Sequence, residues 1–389
     1  MRLKRFYLIF MFFTLGIYAQ EETVKDNLHF NAYGIFRAHI AIFGNEAEIQ
    51  EASPRIGVIF NYHFGEHNKY AVFFGGEFAM NLIDNQFDFQ SDPNDNNNGF
   101  TSLGFTDKKN TFSTRLGFIG VDFDKLGVLA IGKQNSVYMD VASVTDIFNV
   151  MSGQASYVFS PEGADGGDTG TGRADGALIY RNSLGKFDIG LQTQMRAGLG
   201  DNIFDHYGAS LRYHISNHLT LGSAYNKALI GPRFAEIENL RGFEGDPTYF
   251  SASFVYNKGP LFLSGIFVDQ KNGDFVNTID PIAEEEVSIV YPGKGYELVL
   301  SYLLMDNRLN LLAGFNYKKP EPDHDYLADG FRKRIYLLSA QYRFIKYASV
   351  YSEFKYEDSI NGLGLKPENV FLLGVKVDFD RSWKKNVDL

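Results

Sequence analysis

From Leu28 onward the chain alternates apolar and polar residues with a period of two. Leu28, Phe30, Ala32, Gly34, Phe36, Ala38, Ile40 and Ile42 share one parity, and His29, Asn31, Tyr33, Arg37 and His39 take the other. The same pattern sets Ile56, Val58, Phe60, Tyr62 and Phe64 against Arg55, Gly57, Asn61 and His63. It sets Phe187, Ile189, Leu191 and Met195 against Asp188, Gln192, Gln194 and Arg196, and Phe371, Leu373, Val375, Val377 and Phe379 against Lys376 and Asp378. Successive side chains of a strand point to opposite sides of its sheet, so each stretch predicts a strand with one apolar and one polar face. Sixteen such segments follow residue 27; two of them, 126–134 and 260–270, alternate poorly and are placed by count and loop rhythm.

The links between segments alternate in length. Short ones fall at 65–69, 124–126, 183–185, 216–218, 257–259, 306–307 and near Lys346; long ones include 85–110, 135–172, 230–247, 271–293 and 318–330. Tight turns at one end of a sheet and long loops at the other suit a membrane barrel, whereas a soluble sandwich has little reason to sort its connections. Many segments reach ten residues, enough for a tilted bilayer crossing. The chain holds 23 Tyr and 36 Phe, and aromatics recur near strand ends at Tyr296, Tyr302, Tyr317, Tyr336, Tyr342, Phe344 and Tyr356, where interfacial girdles would need them. After the N-terminal leader no stretch is long enough for a spanning helix, and only helices and closed barrels satisfy every backbone group in lipid. The expectation is an all-β, transmembrane antiparallel β-barrel of 16 strands, the even number returning both termini to the periplasmic side.

Arg2, Lys4 and Arg5 precede an apolar run from Phe6 to Tyr18, and Ala19 supplies a small residue at a cleavage point. This predicts a secretory signal peptide over 1–19. No Pro/Ser-rich linker interrupts the strand pattern, so a single β-barrel domain is expected over 20–389. Phe379 stands as the terminal aromatic, leaving 380–389 as a short periplasmic tail. The absence of Cys excludes an acylated cysteine anchor, disulfides, thiol catalysis and Cys-ligated metal. Removing the three basic residues of the leader leaves 34 Lys and Arg against 47 Asp and Glu, a balance of −13 that disfavours nucleic acid as a partner. Much of the acid falls in expected outer loops, at 84–95 and 284–286, as a solvated surface.

The connection 135–172 is too long for an idle surface loop. Arg115 lies on the strand pair leading in, Arg173 on the strand leading out, and Arg55 at the matching point of an earlier strand. The run Thr114-Arg115-Leu116-Gly117-Phe118-Ile119-Gly120 is followed by Gly127 and by Gly132-Lys133-Gln134-Asn135. A loop with Tyr138, Asp140, Thr145 and Asp146 then exits through Gly172-Arg173-Ala174-Asp175-Gly176 and Tyr180-Arg181-Asn182. This series resembles the motifs of trimeric general diffusion porins of the bacterial outer membrane, most strongly over 111–196, and Arg55-Ile56-Gly57 is similar to the family's Arg-Leu-Gly on strand two.

The resemblance implies an inward-folded third loop and a row of wall arginines facing carboxylates on that loop. It also implies a homotrimer embedded in outer-membrane lipid that passes small hydrophilic solutes and ions without a cofactor. Residue by residue, it carries pore-constriction roles to Arg55, Arg115 and Arg173, to Lys133 at a basic wall position, and to Asp146 as a loop carboxylate. Arg37, on the polar parity of the first strand, joins them. The family's second carboxylate falls at Val150, and its Pro-Glu-Phe-Gly-Gly tip is replaced by Asn149-Val150-Met151-Ser152-Gly153. Four arginines opposite one matched carboxylate leave the eyelet net positive and predict anion preference, or at most weak cation preference, unless Glu162, Asp165 or Asp168 folds into the lumen. The small residues Gly127, Ala130 and Gly132 suit a wall covered by a neighbouring subunit and by the 85–110 loop.

Other chemistry is weaker. Asp165 and Asp168 in the Gly/Asp-rich 161–172 lack a full calcium-ligand spacing, and His29 and His63 lack a third ligand, so no metal site is expected. There is no Gly-x-Ser-x-Gly elbow and no phosphate loop, so no enzyme is expected. Two other readings stand beside the diffusion channel. A substrate-specific channel for a sugar, phosphate or carboxylate would carry a track of lumen aromatics, for which Tyr33, Phe73 and Tyr249 are candidates without an evident track. A structural or adhesive barrel would only display its loops.

Overall fold

The computed structural model describes residues 26–83, 86–88, 104–106, 111–151, 153–158, 167, 169–196, 203–229, 240–242, 245–279, 285–321 and 330–387. Its strands are β1 (Asp26–Phe43), β2 (Glu46–Glu51), β3 (Arg55–Phe64), β4 (Tyr70–Met80), β5 (Gln86–Asp88), β6 (Gly104–Thr106), β7 (Phe112–Asp122), β8 (Val128–Asn135), β9 (Arg173–Leu184) and β10 (Phe187–Gln194). They continue as β11 (His206–His214), β12 (Leu219–Ala228), β13 (Leu240–Arg241), β14 (Thr248–Lys258), β15 (Leu261–Ile279), β16 (Glu286–Leu304), β17 (Leu309–Pro320), β18 (Lys333–Ile345), β19 (Ala348–Glu357) and β20 (Val370–Val387). Sixteen of these make the wall, each antiparallel to its sequence neighbour, and β1 closes the ring against β20 from Asp26↔Val387 to Phe43↔Val370. The rest are accessory: β2 folds back on β1, β5 pairs β6 apart from the wall, and β13 lies parallel to β16. Closure leaves no open edge, which is what a sheet in lipid requires.

The alternation read from the sequence becomes an inside and an outside. On β16, Leu298 and Leu300 are exposed outward while Glu297 and Val299 between and beside them are buried; on β20, Leu373, Val375 and Val377 are exposed while Leu372 is buried. A continuous exposed band of large apolar side chains is what lipid covers. Aromatic rings border it. Tyr296, Tyr317, Tyr336 and Tyr356 meet their neighbours laterally across β16 to β19, and Tyr302, Tyr342 and Phe344 lie further along the same strands toward the short turns.

The two poorly alternating segments are wall strands, β8 and β15. Their pattern is blurred because inward positions are apolar as well: Ile266 and Val268 of β15 are buried against the connection between β8 and β9. Of the stretch 271–293, expected as a loop, residues 271–279 continue β15 and 286–293 continue β16, each strand 19 residues long, past an irregularity between Gln270 and Asp274 where Asn272 takes a positive φ; residues 280–284 lie outside the described residues. The expected tail also differs. Residues 380–387 extend β20, where Asp380 faces Tyr33 in register and Asn31 donates from Nδ2 to Asp380 at 2.6 Å and to Ser382 at 3.1 Å. Polar ends on both seam strands pair with each other beyond the apolar band. The leader 1–19, the acids Asp84, Asp92 and Asp95, Glu284, and Glu162, Asp165 and Asp168 lie outside the described residues.

Candidate functional site

The connection between β8 and β9 begins with a single helical turn, α1 (Met139–Ala142). Ser136 starts it, its Oγ accepting from the Met139 N–H at 2.9 Å, and Ser143 Oγ closes it on the Met139 carbonyl at 2.7 Å. From there the segment runs along inward-facing side chains of successive strands. The Gln192 side-chain Oε1 on β10 accepts the Val137 N–H at 2.9 Å, and Ser264 on β15 donates to the Val144 carbonyl at 2.8 Å. Glu297 on β16 accepts the Thr145 hydroxyl and the Ala155 N–H, and Lys333 on β18 donates to the Gln154 side chain at 2.7 Å. Glu353 on β19 accepts three consecutive N–H groups at the tip, from Asn149 at 2.6 Å and from Val150 and Met151 at 3.1 Å each. Arg37 on β1 donates to the Asn149 carbonyl.

Packing follows the same route. Phe148, Val150 and Met151 join Val299, Leu312 and Leu337, while Tyr138, Val141 and Tyr157 join Ala224, Tyr249, Ile266 and Val268. Inward glycines let the backbone come close. A Cβ on Gly295 would stand 2.0 Å from the Ala155 carbonyl oxygen, and one on Gly314 2.9 Å from the Phe148 ring. The segment from 136 to 158 is therefore fixed by buried hydrogen bonds as well as by apolar contact. A buried carboxylate that takes several N–H groups is a strong anchor, since charged hydrogen bonds outweigh neutral ones.

The arginines expected at a constriction divide among several settings. Arg115 and Arg55 share one partner, Glu77 on β4: Arg115 Nε lies 2.8 Å from Oε1 and Arg55 Nε 3.8 Å from Oε2, and the Tyr33 hydroxyl donates to the same carboxylate at 2.8 Å. Simple parity from the exposed Ile119 would turn Arg115 outward. A bulge turns it in: Glu77 pairs with Leu116 and Phe78 with Thr114, so Arg115 is the extra residue of β7. Arg37 lies at the tip as described. Arg173 starts β9 and is buried, Lys133 sits in a second irregularity with its Nζ 3.3 Å from the Thr114 carbonyl, and Asp146 lies close enough to Glu297 for their charges to interact. Tyr249, a candidate lumen aromatic, is buried beneath the connection between Tyr138 and Tyr157.

Sequence reasoning sought carboxylates on the loop and missed buried ones on the wall, among them Glu77, Glu297 and Glu353. Glu77, Glu297 and Glu353 are acids at inward positions between apolar or small neighbours, as in Tyr296-Glu297-Leu298 and Ser352-Glu353-Phe354. That placement was their signal. His29 and His63 meet across β1 and β3 with centroids 4.8 Å apart and rings tilted by 50°, and among the described residues no three His, Asp or Glu converge as metal ligands.

Comparisons with known proteins agree with the barrel fold. The sequence profile of the Gram-negative porin family matches residues 13–362. Outer membrane porin F of Xenorhabdus nematophila is 25% identical over 288 residues, which is 69% of this chain and 74% of that protein. The structure of Salmonella typhi OmpF, solved in complex with daunomycin, superposes with a TM-score of 0.67 at 16% identity, covering 90% of this chain and 97% of the other. OmpT of Vibrio cholerae, folded in vitro and solved in its trimer form, gives 0.58 at 16% identity, covering 92% and 100%.

Proposed function

The chain belongs to the Gram-negative porin family and is an outer-membrane channel for passive diffusion, and we propose that the segment 136–158 forms the constriction of its lumen. The supporting observation is the route of its anchors, from Gln192 through Glu297 and Glu353 to Arg37. A segment held at those strands occupies much of the interior and leaves the passage beside β3, β4 and β7. In this reading Arg37, Arg55 and Arg115 line the passage, with Lys133, Arg173 and Asp146 completing the constriction. Glu77 offsets part of the charge of the two guanidinium groups it touches, so the anion preference is smaller than the arginines alone imply. Opposed charges across a narrow water column set a transverse field that favours small hydrophilic solutes and ions over apolar ones.

The protomer in this reading is one barrel domain exported by a cleaved leader and surrounded by outer-membrane lipid, with no enzymatic role. It assembles as a homotrimer, a state supported by the trimer form of the similar OmpT. The decisive measurement is single-channel recording in planar bilayers with a salt gradient. Stable ohmic openings with a reversal potential on the anion side, and small in size, are expected. A closed barrel without conductance, or one strongly selective for cations, refutes the proposal. Gentle detergent extraction that yields only monomer overturns the trimer.

A further inference from the structure

The inner wall of a water-filled barrel should be polar, yet one part of it is not. Where β1, β3, β4, β7 and β8 face the interior, a recess of about 400 Å³ is lined by Ile59, Phe73, Leu116 and Phe118, with Tyr33 at its side. These are inward positions by register: Phe73 lies opposite Gly120 and Phe118 opposite Gly75. The rings come close to the wall because glycine stands beneath each. A Cβ on Gly75 would be 2.3 Å from the Phe118 ring, on Gly120 2.3 Å from Phe73, and on Gly57 2.2 Å from Tyr33. Phe73 and Phe118 meet edge to face with centroids 6.2 Å apart and are only half-buried, so they offer ring surface to the recess.

A second observation points to a ligand. Gln134 of β8 lines the same recess, is 5% exposed, and its side-chain Nε2 has no hydrogen-bond partner among the described residues. Buried donors are nearly always paired, so this one calls for an acceptor. Beside it Arg181 donates to both oxygens of Asp140, at 2.7 and 3.1 Å, which gives the rim a pair that is already satisfied. The recess therefore combines an aromatic floor, one unmet donor and a neutralised rim.

We propose that this recess retains small aromatic carboxylates in transit, the ring stacking on Phe73 and Phe118 and one carboxylate oxygen accepting from Gln134 Nε2. The proposal rests on the channel reading and adds a solute class to it. Phenylalanine rather than tyrosine or a hydroxyl-rich lining at the floor favours an apolar ring over a sugar, and offset or edge contacts between rings favour an aromatic one.

The test is block of the single-channel KCl current by benzoate, with acetate and glucose as comparisons. Benzoate should reduce the current saturably, and acetate and glucose at equal concentration should not. Phe118→Leu, which keeps an apolar group of similar bulk, should raise the half-blocking concentration of benzoate at least threefold, and Gln134→Glu at least tenfold, while both keep the KCl conductance of the parent. Equal block by acetate, stronger block by glucose, or unchanged half-blocking concentrations in both variants overturn the proposal while leaving the channel intact. Absence of KCl conductance in the parent removes the channel reading and this proposal with it. If a variant does not insert, Phe73→Leu provides the same comparison from the other ring.

Discussion

Removing the Glu353 carboxylate tests what holds the connection between β8 and β9 in place. Glu353 is buried and accepts the N–H groups of Asn149, Val150 and Met151. In Glu353→Ala three buried donors lose their acceptor, each at a cost of about 1–3 kcal/mol, so about 3–9 kcal/mol if the tip stays docked. The lower end applies where lumen water reaches the gap. Against this stands the burial of Phe148, Val150 and Met151 in the cluster on β16 to β18, each contributing about 1.5–3 kcal/mol and together about 5–9 kcal/mol. The two ranges overlap, so the docked tip should lose its clear advantage and an undocked state should become populated. Single-channel recordings should then show larger mean conductance and excess open-channel noise for Glu353→Ala. Glu353→Gln, which keeps one acceptor oxygen, should fall between it and the parent. Identical conductance and noise in all three proteins would refute the view that this carboxylate pins the tip.

Four further outcomes follow from named contacts. Arg115→Ala leaves Glu77 with the more distant Arg55, so the reversal potential in a salt gradient should move toward cations, and Glu77→Gln should move it toward anions; the same sign for both would exclude this cluster from the conduction path. Arg115→Ala also breaks a buried pair and should lower barrel stability by about 3–5 kcal/mol, read by urea unfolding from lipid vesicles. Gly295→Ala places a Cβ where the Ala155 carbonyl lies, and should cost about 1–3 kcal/mol of docking strain, seen as a lower temperature for loss of the compact band on unheated gels. Leu298→Arg puts a charge on the exposed apolar band and should cost about 2–4 kcal/mol if that position lies near the bilayer midplane, measured by the same urea unfolding.

Much of the barrel was legible because lipid enforces alternation wherever the other face is wet. β1, β10 and β20 read clearly for that reason. β8 and β15 read poorly because their inner positions are apolar for a local purpose, Ala130 at the recess and Ile266 and Val268 beneath the connection. The 271–293 stretch carries Asn272, Gly273, Pro292 and Gly293, which locally signal a break, but cross-strand pairing over 19-residue strands overrides them. The run after Phe379 looked like a tail because its partner, the start of β1, is far away in sequence. At the candidate site, the motif pointed to the arginines. Their counter-charge was not, since Glu77 becomes their partner only through the bulge that turns Arg115 inward.

The seam between β1 and β20 has a consequence for biogenesis. The first and last wall strands pair along their whole length, and Glu353, the anchor of the tip, sits on β19, the penultimate wall strand. Contacts of such long sequence separation come late, because the intervening chain must be ordered before they can form. Neither the ring nor the tip can settle until β19 and β20, from Ala348 onward, are present. A nascent chain lacking β19 and β20 keeps two unpaired edges and a tip without its carboxylate, so a shortened product offers an edge for aggregation rather than a leaky hole. The last strands to leave the ribosome thus act as a completeness check, coupling closure of the wall to docking of the segment within it.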